Sequence, residues 1–365
     1  MSLKRPRGHP GTLVVLEHSS KILKGNPLGD PHVRKLGVWL PPQYDDANRR
    51  FPVLYDLVGF TGSGLAHTNW KPFGDNVPER AARLIHEEKM GPAIIVFPDC
   101  FTALGGNQYI NSSAIGSYAD YLTREIIPVV DAEFRTLPGR EHRGCFGKSS
   151  GGYGAIIHGM KYSRHWGAIA NHSGDAYFDV VYRNDWPNTL GELAKYRLPK
   201  RQPGLYDARR EAARKSLAQG LDDGRIKRFL AHARKTEKLS GKEGHALMNL
   251  CMAATYDPDA RAPLGFRIPF NSESGEIIEA RWRNWRQHDP INLVSKYRAN
   301  LRTLRGIYID CGWRDQYNIH YGSRILSRRL AEAGIRHRYE EFDDDHSDID
   351  YRMDVSLPFL YRALR

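Results

Sequence analysis

Residues 147–151, Gly-Lys-Ser-Ser-Gly, set Ser149 between two glycines in the pattern G-x-S-x-G. Between a strand and a helix that pattern makes a nucleophile elbow. The chain turns so sharply that the serine is held in a strained conformation, and small neighbours make room for it. The helix that follows aims its first amides and the positive end of its dipole at any oxyanion forming nearby. Both flanks are expected here: a short strand over 143–146 before the serine, and a helix after it that includes 155–160. A phosphate loop would share Gly147, Lys148 and Ser149, but it needs a glycine five positions before Gly147, where this chain has His142. That position excludes the nucleotide reading.

A serine nucleophile needs a base and an orienting acid, and in the fold that carries such an elbow they follow it in the order acid then histidine, on loops after later strands. After a strand expected over 304–310 comes Cys311-Gly312-Trp313-Arg314-Asp315, with Asp315 in the loop and Asp310 at the strand end. Asp315 is the better acid, and Asp310 the better brace for the turn. After the next expected strand, 338–342, His346 lies in the loop before the closing helix, where the base belongs. His337 lies beside a strand and His320 at a helix start, so neither is well placed. The tetrahedral intermediate also needs two backbone donors. The N–H of Ser150 is one candidate and that of Phe60 the other, on a loop whose glycines Gly59, Gly62 and Gly64 permit close approach or simply make a turn. The acidic run Asp343 to Asp350 lacks the oxygen spacing of a calcium loop. Cys100, Cys145, Cys251 and Cys311 form no zinc-ligand pattern. Neither a metal nor a cofactor is expected.

The elements that must position these residues alternate. Strands are expected over 35–40, 51–58, 93–97, 143–146, 166–170, 304–310 and 338–342, and helices over 78–89, 118–134, 320–333 and 348–364. Such alternation predicts an α/β protein with a mostly parallel sheet, because parallel neighbours need crossovers between them. The rhythm stops between residues 179 and 285, where helices are expected over 206–219, 221–238 and 243–255. The expected organisation is therefore a core in two parts, 1–178 and 286–365, with a helical insertion at 179–285 and a basic tail at 1–10.

The chain has 365 residues, 41% hydrophobic and 26% charged, which excludes a mini-protein and a disordered tail. No apolar run approaches the roughly 18–20 residues that cross a bilayer. The first ten residues carry three basic groups, but only the short apolar patch Leu13 to Leu16 follows, so a cleaved secretory signal is not expected. Four scattered cysteines read as reduced thiols of a cytoplasmic protein. The 54 Lys and Arg against 42 Asp and Glu leave +12, and residues 195–242 alone hold fifteen of the former against five of the latter. A basic insertion could steer an anionic substrate or dock on an acidic partner, or it could be a solvated helical face. A non-catalytic polyanion-binding module would also explain the charge. The complete Ser, Asp and His set in the expected order argues against that reading, and no specific nucleic-acid partner is expected. Homo-oligomerisation stays open.

Residues 53–60 (VLYDLVGF), 95–99 (IVFPD), 118–128, 147–155 (GKSSGGYGA), 310–315 and the loop at His346 together resemble the esterase-D-like family of α/β-hydrolases. S-formylglutathione hydrolases, feruloyl esterases, enterochelin esterases and mycolyl transferases are related to it. The resemblance implies an α/β-hydrolase fold and an acyl-enzyme on a small-molecule ester, released to water or to another acceptor. It assigns Ser149 as nucleophile, His346 as base, Asp315 as acid, and the amides of Phe60 and Ser150 as oxyanion hole. Two departures bear on the substrate. Val58 stands where many members have a His or Asp supporting the oxyanion loop, and the insertion lengthens the gap between Ser149 and Asp315. Because the insertion starts after the loop 171–178, it is placed either to cover the site as a lid or to decorate the fold. Tyr177, Tyr182, Trp186, Trp282 and Trp285 would line an acyl pocket or form the insertion's own core.

Overall fold

The computed structural model describes residues 11–45, 49–197 and 208–365. Eight strands form one sheet: β1 (Thr12–Ser19), β2 (Val33–Leu40), β3 (Val53–Leu57), β4 (Ile94–Phe97), β5 (Arg143–Lys148), β6 (Ala168–His172), β7 (Gly306–Gly312) and β8 (Arg338–Phe342). Their spatial order is β1-β2-β4-β3-β5-β6-β7-β8. β2 runs antiparallel to both β1 and β4, and every other pairing is parallel. β3 to β7 are buried along their length, and their apolar runs follow from helices covering both faces. β1 alternates between exposed and half-buried positions as an edge strand does, so the patch Leu13 to Leu16 is part of a ladder.

The helices of the core are α1 (Val77–His86), α2 (118–133, with a π turn at Tyr121–Ile126) and α3 (Ser150–Lys161). They continue after the insertion with α10 (Pro290–Leu293), α11 (Arg298–Arg302), α12 (Ile319–Glu332) and α13 (Met353–Leu364). On one face of the sheet, Leu84 of α1 and Leu357, Leu360 and Leu364 of α13 pack on Ile95, Phe97 and Phe146. The other face is covered by α2, α3 and the insertion in one continuous core. No helix among the described residues is long and apolar enough to cross a membrane.

Two strands lie two residues later than expected. Trp166 precedes β6 and is buried for another reason: its ring meets Tyr55 edge-on at 5.3 Å and its indole N–H donates to His158. The ladder instead runs on through the polar Asn171 and His172, whose side chains are satisfied internally. In the same way β7 extends to Gly312, so Asp310 sits inside the strand and not at its end.

The insertion holds α4 (Phe178–Val181), α5 (Trp186–Ala194), α6 (Ala208–Leu217), α7 (Arg225–Ala233), α8 (Gly241–Tyr256) and α9 (Glu279–Arg286). The expected start of a helix at Tyr206 lies outside the described residues. The expected 221–238 helix is shorter because Asp222 accepts from the N–H of Ile226 and starts α7 late. Ser240 and Glu243 form a reciprocal capping box that starts α8. Three helices were not expected: α4, α5 and α9, of which α9 runs through the boundary drawn at 285.

Candidate active site

Ser149 joins β5 to α3 with φ 57° and ψ −122°. For a residue with a Cβ this conformation costs about 1–3 kcal/mol and persists only where the surroundings over-determine it. They do so through the flanking glycines. A Cβ on Gly147 would come within 2.1 Å of the Leu57 carbonyl oxygen, and one on Gly151 within 1.7 Å of the same atom. The serine's N–H donates to the His172 carbonyl at 3.0 Å, and its own carbonyl accepts from Tyr153 at 2.9 Å. The elbow is thus pinned between β3 and β6.

His346 and Asp315, expected as base and acid, meet: His346 Nδ1 lies 2.7 Å from Asp315 Oδ2. The other carboxylate oxygen accepts the N–H of Tyr317 at 2.9 Å, and the aspartate is 2% exposed. Gln316 Oε1 accepts the N–H of His346, and the Tyr317 ring stands edge-on to the imidazole with centroids 4.8 Å apart. The imidazole is thereby oriented with Nε2 left over.

Asp310 belongs to a different network. Its Oδ1 is 2.7 Å from His172 Nδ1, and its Oδ2 accepts from Arg352 and from the Tyr308 hydroxyl. His172 Nε2 in turn lies 2.8 Å from Ser356 Oγ. Burial alone would raise the Asp310 pKa, but His172 and Arg352 outweigh it and hold the carboxyl below its usual range.

Ser149, His346 and Phe60 line one cavity of about 600 Å³, with Gly59, Lys148, Asp175, Tyr182 and Tyr317 among the other walls. Ser150 is buried at the start of α3. Among the described residues, neither the Phe60 nor the Ser150 backbone N–H donates to a protein carbonyl. The support missing at Val58 comes from elsewhere. The Tyr109 hydroxyl donates to the Val58 carbonyl at 2.7 Å, and Thr61 N–H donates to Gly105. Tyr109 is itself held by a backbone turn with positive φ at both Gln108 and Tyr109, and by His158 against its carbonyl. Sequence reasoning missed Tyr109, because nothing local distinguishes a loop tyrosine that reaches another strand's end.

From the insertion, Leu239, Ser240, Gly241, Gly244, His245 and Met248 reach the cavity, on or beside the first turns of α8. Of the five aromatic residues, only Tyr182 lines it. Trp186, Trp282 and Trp285 pack on one another in near-perpendicular or tilted pairs and are buried, so they belong to the insertion's part of the continuous core and not to the cleft. Asp175 accepts from Gln108 and the Tyr182 hydroxyl, and burial raises its pKa against those bonds. None of the described lysines and arginines of 195–242 lines the cavity. Several described ones are tied locally, Lys195 to Glu192 and Arg225 to Asp223. The acidic run is also engaged: Asp343 with Arg314, Asp344 with Tyr351, Asp350 with Lys71.

Comparison with known proteins bears on the fold and the family. Esterase Rv1288 of Mycobacterium tuberculosis (strain ATCC 25618 / H37Rv) and Esterase MT1326 of strain CDC 1551 / Oshkosh are each 30% identical over 147 residues. That stretch is 39% of this chain and 29% of those relatives, so the match spans under a third of their length. A ferulic acid esterase structure superposes with a TM-score of 0.58 at 17% identity, covering 98% of this chain and all of that one. The S-formylglutathione hydrolase of Agrobacterium tumefaciens gives 0.55 at 16% over the whole of both chains. FphF, a fluorophosphonate-binding serine hydrolase of Staphylococcus aureus, gives 0.55 at 15%, over 96% of this chain and 99% of that one. These likenesses show the α/β-hydrolase fold. The model of the esterase family described as "Putative esterase" matches residues 31–356, nearly the whole described core and insertion, and the chain belongs to that family.

Proposed function

We propose that the protein is a serine carboxylic-ester hydrolase that works through an acyl-enzyme. The observation that carries this reading is the strained Ser149 sharing one cavity with a His346 whose Nδ1 is held by a buried Asp315. With Nδ1–H committed to Asp315, the neutral imidazole keeps its lone pair on Nε2, the nitrogen that takes the serine proton. Ser149 Oγ attacks the ester carbonyl, and the imidazolium returns the proton to the departing alcohol. Water, deprotonated by the same nitrogen, then releases the acid. The negative oxygen of each tetrahedral intermediate is received by the N–H groups of Phe60 and Ser150, which have no described protein acceptor of their own. Asp315 keeps the tautomer and stabilises the imidazolium.

Small-molecule esters fit the cavity, and the first turns of α8 serve as a lid over it, since Ser240 to Met248 supply one wall. Four free, buried thiols support a reducing, cytoplasmic setting. The test is labelling with a fluorophosphonate together with turnover of short p-nitrophenyl esters. Covalent label on Ser149, and loss of both label and turnover in Ser149→Ala with an unchanged melting temperature, are expected. Full turnover in that variant overturns the reading. Product analysis with an added alcohol shows whether water is the acceptor: free acid as the main product is expected, and a dominant transferred ester overturns hydrolysis.

A further inference from the structure

A second histidine and aspartate pair faces the same cavity. His67 lines it, on a short 3-10 turn (Gly64–Thr68), and its Nδ1 lies 2.6 Å from Oδ2 of Asp56 on β3. Asp56 is fully buried, and its Oδ1 has no hydrogen-bond partner. A carboxylate removed from water with a single partner is costly unless that partner carries the opposite charge. Burial alone would favour the neutral ring, but the charge and hydrogen bond of Asp56 reverse this and raise the His67 pKa above its ordinary value. The pH range over which His67 holds both ring protons is therefore extended upward. Nδ1–H goes to Asp56, and Nε2 has no protein partner among the described residues. A ring held in that form is a donor and a cation, not a base.

Among the charged groups around it, one cation has no described ion pair. Lys71, close by in sequence, pairs with Asp350. Lys148, next to the elbow serine, lines the cavity, is half-buried, and has no described ion pair, although its field reaches Asp350. Asp175 is the only carboxylate among the described lining residues, and it accepts from the neutral donors Gln108 and Tyr182. His245, on the α8 wall, is paired with Asp185. His67 is paired with Asp56 and Lys71 with Asp350, so Lys148 is the lining cation without a described ion pair.

We infer that His67 and Lys148 form a subsite for a negatively charged group of the ester, a carboxylate carried on its acyl or its alcohol part. This rests on the serine-hydrolase reading of the cavity and adds the class of substrate. The imidazolium supplies a directed N–H, and the ammonium supplies charge. In a partly desolvated cleft, charge-assisted hydrogen bonds are the strong ones. The local cation, and not the basic stretch of the insertion, then sets the preference.

The experiment compares kcat/KM for p-nitrophenyl butyrate with that for the p-nitrophenyl hemiester of succinic acid, and for phenyl acetate with that for 4-acetoxybenzoate. These pairs place the carboxylate on the acyl and the leaving-group side respectively. His67→Gln is expected to lower the charged-to-neutral ratio about tenfold in at least one pair. Lys148→Met, at a position without a described ion pair, is expected to lower the same ratio and carries the test alone if His67→Gln does not fold. In the unmodified protein that ratio should fall as pH rises through the His67 titration, and His67→Gln should flatten that fall. Ratios within twofold of the unmodified protein in both variants and both pairs overturn the subsite. Ser149→Ala with undiminished neutral-ester turnover is a separate result, which overturns the serine reading itself.

Discussion

The molecule holds two sets of serine, histidine and aspartate whose histidine–aspartate hydrogen bonds are nearly the same. His346 Nδ1 and His172 Nδ1 are each 2.7 Å from a carboxylate oxygen, of Asp315 and Asp310 respectively. Their surroundings differ. Ser356, His172 and Asp310 are no more than 2% exposed, sealed under α13, and Arg352 supplies a permanent counter-charge. His346 and Ser149 face an open cavity, and Ser149 is held at positive φ between two glycines that cannot carry a side chain. Composition and pairing alone therefore do not make a nucleophile. On the proposed function, access and a serine presented on a strained turn separate the reactive set from the structural one.

Substitutions that treat the two sets alike should expose the difference. The largest effect is expected for Ser149→Ala, which should lower kcat by about 10⁴-fold or more, whereas Ser356→Ala should leave kcat within about twofold. Steady-state turnover of p-nitrophenyl esters measures both. Next come the two aspartates. Asp315→Asn should lower kcat by about 10⁴-fold through the wrong imidazole tautomer. Asp310→Asn should instead cost about 3–5 kcal/mol of stability by stranding buried His172 and Arg352, as read by urea unfolding.

The pH dependence sharpens the same contrast. The Asp310 carboxyl is held below its unfolded value by His172 and Arg352, against burial. Its contribution is therefore present above about pH 4 and lost as pH falls through the depressed folded value. Asp310→Asn should remove that part of the acid unfolding curve. A smaller effect is expected for Tyr109→Phe, which removes the hydroxyl behind Val58 and lets the oxyanion loop relax. We expect about a tenfold loss of kcat with KM little changed, since a displaced donor acts on the transition state. Ser356→Ala should give the smallest change, about 1 kcal/mol in unfolding free energy.

The parts of this design that could be read along the chain are those written in short windows. The elbow, the strand and helix on either side of it, and the order Ser149, Asp315, His346 all depend on neighbours within a few positions. The structure brings the last two together at hydrogen-bond distance. Strand limits near residues 166 and 304 differ from the expected ones because a buried Trp166 or a half-buried Leu304 outside a ladder looks like a residue inside it. β1 was missed because an edge strand buries only one side and leaves a weak signal. Tyr109 supports Val58 from 51 residues away, and Asp310 finds His172 across 138. No periodicity reports such pairs.

The chain by itself determined that a serine would be placed on a sharp turn after a buried strand, since only glycine fits at positions 147 and 151 against the Leu57 carbonyl. It also determined that an aspartate and a histidine would follow on later loops. The tertiary structure decided which aspartate met which histidine, because Asp310 faces inward within β7 and Asp315 lies beyond its end. It decided as well that three tryptophans would pack together instead of lining the cleft, and that a second imidazole, His67, would stand on the cavity wall. Those outcomes depend on distances between strands, and a linear pattern does not carry them.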